Sequence, residues 1–169
     1  MEIGGEIPED IEYVPTMWGS GSVDDGWTSA AKKALKDGST RILRFNEPDM
    51  SSQADMSASD AATYYKNTDE GLDWLDSFLD DCNDCSVSAI AIHWYGGSVS
   101  DVKTFVNEAI DLASGYSISE VWLTEFGLSS DEDGISDLST TAIFLKEASK
   151  WLDEQSEVTR YAFFYYAND

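Results

Sequence analysis

The chain has 169 residues, 42% hydrophobic and 12% aromatic, and carries 33 acidic against 10 basic side chains for a formal charge of −23. This length supports one domain with a substantial core. The excess of acid argues against nucleic acid and against an anionic membrane surface, since both need clustered Lys and Arg, and no stretch reaches the roughly 20 apolar residues of a membrane span. A neutral or cationic ligand is compatible with this charge, and most of the acids read as a solvated shell. The start, Met1-Glu2-Ile3-Gly4-Gly5, has neither a basic region nor an apolar core, so no signal peptide is visible.

In chain order, Glu12 to Trp18 reads as the first strand. A helical pattern follows over Trp27 to Asp37, carrying Ala30, Ala31, Ala34 and Leu35 and stopping at Gly38, a favoured C-cap residue. Thr40 to Asn46 is the second strand. Ser57-x-x-Asp60 resembles a capping box that opens a helix over Ala58 to Asn67, and Leu72, Leu75, Phe78 and Leu79 mark another. Ser86 to Trp94 is the third strand. Val102, Phe105, Val106, Ala109, Ile110 and Ala113 then form a helical stripe over three turns. Glu120 to Phe126 is the fourth strand, and Ser139 caps a last helix that turns Ile143, Leu145, Ala148, Trp151 and Leu152 inward. Thr159 to Tyr166 is the fifth strand. This alternation indicates α/β class with a parallel sheet, whose right-handed crossovers align the strand C-termini on one face.

Two features suggest metal or redox chemistry and fail on spacing. Cys82 and Cys85 form a lone Cys-x-x-Cys, and the single histidine, His93, leaves too few ligands for structural zinc. The pair closes a helix and precedes a strand, the reverse of a thioredoxin-type motif, so a small structural disulfide in an oxidising compartment is the preferred reading. Asp131-Glu132-Asp133-Gly134 has the look of a calcium loop. With Gly134 at the sixth position, however, Thr140 stands where a bidentate Glu is required, so no metal site is expected.

The chemistry lies in two apolar runs that each deliver a glutamate at the strand's C-terminal end. Ile42 to Asp49 presents Glu47 between Asn46 and Pro48; Val121 to Gly127 presents Glu125. Proline ends ladder pairing and restricts the residue before it, which holds Glu47 at a fixed point, while Gly127 is expected to leave space for a ligand or a sharp loop. Acids at the C-terminal ends of parallel strands mark the working face of a (β/α) barrel, and two of them across a cleft suit glycosidic hydrolysis. In a retaining mechanism their carboxyl groups lie about 5–5.5 Å apart. Trp74, Trp122 and Trp151 read as core, whereas Trp18, at a strand end, can stack on a sugar face.

Taken together, Arg44 to Asp49, Gly71 to Leu79, Ile90 to Gly96 and Trp122 to Gly127 resemble glycoside hydrolase family 128, the β-1,3-glucanases that include fungal alkali-sensitive linkage proteins. Val14 to Gly19 looks like the family's third strand. Trp151 to Ser156 with Arg160 to Phe163 looks like its last helix and strand. The resemblance implies a retaining (β/α)8 glucanase in which Glu47 is the acid/base and Glu125 the nucleophile. Asn46, Trp18, His93 and Tyr95 would contact substrate or orient an acid, Tyr95 by a hydrogen bond to the nucleophile. It implies no cofactor, a β-glucan polysaccharide or oligosaccharide as partner, and a secreted or cell-wall location. The family's first two strands have no counterpart before Glu12, and Lys66 to Glu70 stands where its fifth should be. The expectation is therefore one domain over residues 1–169, a shortened TIM-type barrel with about five recognisable strands. The alternatives are a non-catalytic glucan-binding module and an inactive shortened scaffold. Oligomeric state is not legible from these residues.

Overall fold

The computed structural model describes residues 12–22, 26–57, 61, 71–82, 85–129 and 138–164. The chain divides into two compact units, Met1–Asn83 and Asp84–Asp169.

In the first unit, strand β1 (Thr16–Met17) pairs in parallel with β2 (Leu43–Arg44), Thr16 opposite Leu43 and Met17 opposite Arg44. Ladder-type bonds extend past these short cores. Leu43 N–H donates to Pro15 O, Phe45 N–H to Met17 O and Asn46 N–H to Trp18 O, so the backbone association covers most of what the sequence predicts. Glu12 clamps the entry to β2 by accepting from the backbone N–H and the hydroxyl of Thr40 at 2.6 and 2.7 Å.

Helix α1 (Thr28–Lys36) connects the two strands and buries only Ala31 and Ala34, leaving Leu35 exposed, so its apolar stripe is narrower than the pattern suggests. The helix ends as expected at Gly38, whose φ of 116° lets Ser39 N–H fold back to Ala34 O at 3.0 Å. Helix α2 (Gly71–Asp81) stacks Trp74 on Phe78 one turn later, ring centres 5.5 Å apart, and buries Leu79 with them. The helix expected over Ala58 to Asn67, the Lys66 to Glu70 gap and the rejected calcium loop lie outside the described residues, Ala61 excepted.

The second unit is a β–α–β–α–β array. Strands β3 (Ile90–Gly96), β4 (Val121–Leu128) and β5 (Val158–Phe163) form a parallel sheet in that order. Helix α3 (Val99–Gly115) packs on β3 and β4, helix α4 (Leu138–Leu152) on β4 and β5, and the two helices touch each other. Central β4 reads Val-Trp-Leu at its start, with all three side chains buried, as suits a strand covered on both faces.

Two expectations for α4 are corrected. Its described span begins at Leu138, which puts Ser139 inside the helix rather than at its cap. The buried stripe is Phe144, Ala148 and Leu152, one residue every four, and Ile143 faces outward. The reason is aromatic: Phe144 stacks on Trp94 at 5.9 Å and meets Phe126 at 6.1 Å, which sets the rotation of the helix. Among the described residues the protein is thus α/β with four helices and five strands in two sheets.

Candidate active site

In the second unit the site grows out of strand periodicity. Side chains alternate along β3, so buried Ile92 and Trp94 share one face while His93 and Tyr95 share the other. Which β4 residue they meet depends on an irregularity. Ile92 pairs with Leu123, but His93 pairs with Glu125, leaving Thr124 as an extra residue in β4. The ladder to β5 shifts over the same stretch, from Leu123↔Tyr161 to Phe126↔Phe163. An uninterrupted register would set His93 against Thr124 and Glu125 against Trp94. The bulge instead brings the carboxylate into line with His93 and Tyr95, a common use of bulges near functional residues. Thr124 hydroxyl donates to Ile92 O at 3.4 Å across the irregular step.

Glu125 is held on one oxygen. Tyr95 hydroxyl donates to Oε2 at 2.7 Å, and His93 Nδ1 lies 3.6 Å from the same atom, an electrostatic neighbour beyond hydrogen-bond reach. Glu125 is 30% exposed and His93 20%, so both are accessible yet positioned. The strand does not break after the acid but runs on to Leu128. The space at Gly127 is also taken: a Cβ there would lie 2.7 Å from Phe164 O and 3.6 Å from the Tyr95 ring. The glycine admits the protein's own backbone, not a ligand or a sharp loop.

In the first unit Glu47 stands three residues beyond β2, in a segment with unusual backbone. Phe45 (φ 55°) and Glu47 (φ 42°) both adopt the left-handed region on either side of Asn46. An aromatic side chain there costs on the order of 1–3 kcal/mol, and such strain clusters where side chains are aimed for function. The following loop compensates with hydrogen bonds. Met50 N–H donates to Glu47 O, Ala54 N–H to Asn46 O and Met56 N–H to Pro48 O, all within 3.2 Å. Asn46 amide donates to Gln53 Oε1 at 3.0 Å, which fixes its orientation. Trp18 continues from β1 and is 51% exposed. Besides Pro48, the positive φ values and the loop bonds constrain the Glu47 backbone.

Sequence reasoning missed Gln53, the Thr124 bulge and Phe164, and no signal in the residue pattern marks any of them. Cys82 and Cys85 are both disulfide-bonded, and there is no free thiol among the described residues.

The sequence matches the family described as glycosyl hydrolase catalytic core over residues 2–69 and 66–169. A curdlan-specific exo-β-1,3-glucanase from Blastomyces gilchristii, a family 128 subgroup III structure solved with glucose, is 37% identical over 96% of this chain and 76% of its own, with a TM-score of 0.83. The chain belongs to glycoside hydrolase family 128. A family 128 subgroup I endo-β-1,3-glucanase from Amycolatopsis mediterranei, solved with laminaritriose, is 26% identical over 95% of this chain and 74% of its own, with a TM-score of 0.77. Alkali-sensitive linkage protein 1 of Schizosaccharomyces pombe is 28% identical over 94% of this chain, which spans about a third (32%) of that relative's length. The resemblance carried by the strand-end motifs is therefore borne out, and the fold class is that of family 128 barrels, with the chain spanning about three quarters of the two solved relatives' length.

Proposed function

We propose that this family 128 chain hydrolyses β-1,3-glucan with retention of configuration, Glu125 acting as nucleophile and Glu47 as acid/base. In the first step Glu47 transfers its proton to the glycosidic oxygen as the C1–O bond breaks, and a Glu125 carboxylate oxygen bonds to C1 to give a glycosyl ester. In the second, ionised Glu47 takes a proton from water, the water oxygen attacks C1, and Glu125 leaves as carboxylate. Asn46 is oriented to meet a sugar hydroxyl, Trp18 offers a ring to a pyranose face, and His93 and Tyr95 orient the nucleophile. The observation that carries the reading is the Tyr95–Glu125 hydrogen bond at the working end of a parallel strand in a family 128 chain. The glucanase activities of the two similar structures support the substrate class.

The test pairs two variants. Glu125→Gln should abolish release of reducing ends from a linear β-1,3-glucan while the thermal midpoint holds; unchanged turnover removes the assignment. Glu47→Ala supplied with azide and an aryl β-glucoside, whose phenolate leaves without protonation, should recover rate and yield a β-glycosyl azide, and recovery as the α-anomer would reverse the two roles. Glucan affinity with no hydrolysis in the unmodified chain would establish a binding module instead. The disulfide-bonded cysteines and the fungal linkage relative support action outside the cell, at the wall. We also take residues 1–169 as a single domain, which a single cooperative calorimetric transition would support.

A further inference from the structure

Tyr95 is 41% exposed, yet its hydroxyl has to stay on one carboxylate oxygen. A tyrosine with that much solvent around it samples several rotamers unless its ring is braced. The brace is Phe164, the first residue after β5. Its ring meets Tyr95 edge-on, centroids 5.9 Å apart and planes at 87°, the favoured geometry for an aromatic pair. Phe164 is tethered through its backbone, its N–H donating to Phe126 O at 2.9 Å. It can come this close only because Gly127 lacks a side chain, its missing Cβ falling 2.7 Å from Phe164 O. Phe164 is itself 49% exposed, so its ring meets Tyr95 at the surface and not within a packed core.

We propose that Phe164 is a positioning residue that holds the Tyr95 hydroxyl on Glu125, with Gly127 as the gap that admits it. Its expected effect on rate rests on Glu125 being the nucleophile; its effect on the tyrosine does not.

The experiment is a double-mutant cycle on the whole chain. Phe164→Ala should lower kcat about 5- to 10-fold with KM within about 2-fold, while Phe164→Trp, which keeps a ring edge, restores most of the rate. In the Tyr95→Phe background the same Phe164→Ala change should alter kcat by less than about 2-fold, because the brace then has nothing to hold. Equal losses in both backgrounds would overturn the proposal. Phe164→Leu serves if the alanine variant folds poorly. Independently of turnover, the 13Cζ resonance of labelled Tyr95, assigned with Tyr95→Phe, should move in the same direction on Glu125→Ala and on Phe164→Ala. A resonance that responds to Glu125→Ala and ignores Phe164→Ala refutes the brace. If Glu125→Gln retains activity while both resonance shifts occur, the nucleophile assignment fails and the positioning contact stands.

Discussion

Gly127→Ala probes the packing beside Glu125 directly. The added methyl would sit 2.7 Å from the Phe164 carbonyl oxygen, about 0.7 Å inside ordinary contact at 3.4 Å. The obstacle is backbone, so it cannot be relieved by rotating a side chain. The Phe164 segment must retreat by about that distance, stretching its 2.9 Å bond to Phe126 O and withdrawing the ring from Tyr95. Overpacking of this kind costs about 1–3 kcal/mol, or roughly 4–8 °C of thermal midpoint for a 2 kcal/mol loss in a chain of this size. If Glu125 is the nucleophile as proposed, a displacement near 0.7 Å at the Tyr95 ring that bonds it should lower kcat by about 10- to 100-fold. Differential scanning calorimetry reads the first effect and initial rates on linear β-1,3-glucan the second, with KM expected to move much less than kcat. An alanine variant with both midpoint and kcat unchanged would show that the close approach of β5 to β4 does not govern the site.

Three further outcomes follow from local geometry. Ser98 opens α3 by accepting from Asp101 N–H at 3.2 Å and donating to its carboxylate at 2.7 Å, so Ser98→Ala should cost about 1 kcal/mol in urea denaturation with the m-value unchanged. Ser117 ends the same helix at φ 60° in a Schellman arrangement, with Ile118 N–H on Ala113 O and its own N–H on Ser114 O. Because glycine is preferred at that position, Ser117→Gly should stabilise by about 0.5 kcal/mol, and a lower melting midpoint would contradict the backbone argument. Tyr161 donates to Asp153 at 2.6 Å, and that hydrogen bond raises its phenol above the ordinary value of 10.0. A raised folded-state value means the contribution is complete below about pH 10 and fades as pH climbs through the shifted value. The midpoint difference between the native chain and Tyr161→Phe should therefore be flat up to about pH 10 and close above it; a difference that persists far above that range would exclude the linkage.

The fold was legible wherever hydrophobic periodicity and burial coincide. Strands β3 and β4 overlap the predicted runs Ser86 to Trp94 and Glu120 to Phe126, because parallel strands covered by helices need near-continuous apolar runs. However, β3 begins only at Ile90, where the apolar run itself starts, and both strands extend two residues further. Helix α3 is visible for the complementary reason: Val102, Val106, Ala109 and Ala113 recur at helical spacing and all four are buried. The rotation of α4 was not legible, since Ile143 and Phe144 are adjacent and equally apolar. Only the aromatic contacts with Trp94 and Phe126 decide between them. Similarly, Ser98-x-x-Asp101 has the form of a helix start, but Ser and Asp are frequent enough in this chain that the pattern does not stand out. Both candidate acids could be found in the sequence because each apolar run leads to a Glu closely followed by Pro48 or Gly127, although β4 itself continues through Gly127 to Leu128. Their supports could not. Gln53 reaches Asn46 through a loop of irregular backbone, and Phe164 reaches Tyr95 across three strands, so neither partner falls within any local window.

The unmatched threonine in β4 makes the acid's address a matter of counting, not of chemistry. Replacing Thr124 by another small residue preserves the count, and a substitution scan would pass over the position as tolerant. Excising it, or inserting a neighbour, would slide every later residue of the strand one rung along and present Glu125 to the wrong partners with its own identity intact. Tuning by length is therefore open to this scaffold, and indel libraries centred on residues 123 to 126 would explore catalytic alignments that point mutagenesis cannot reach.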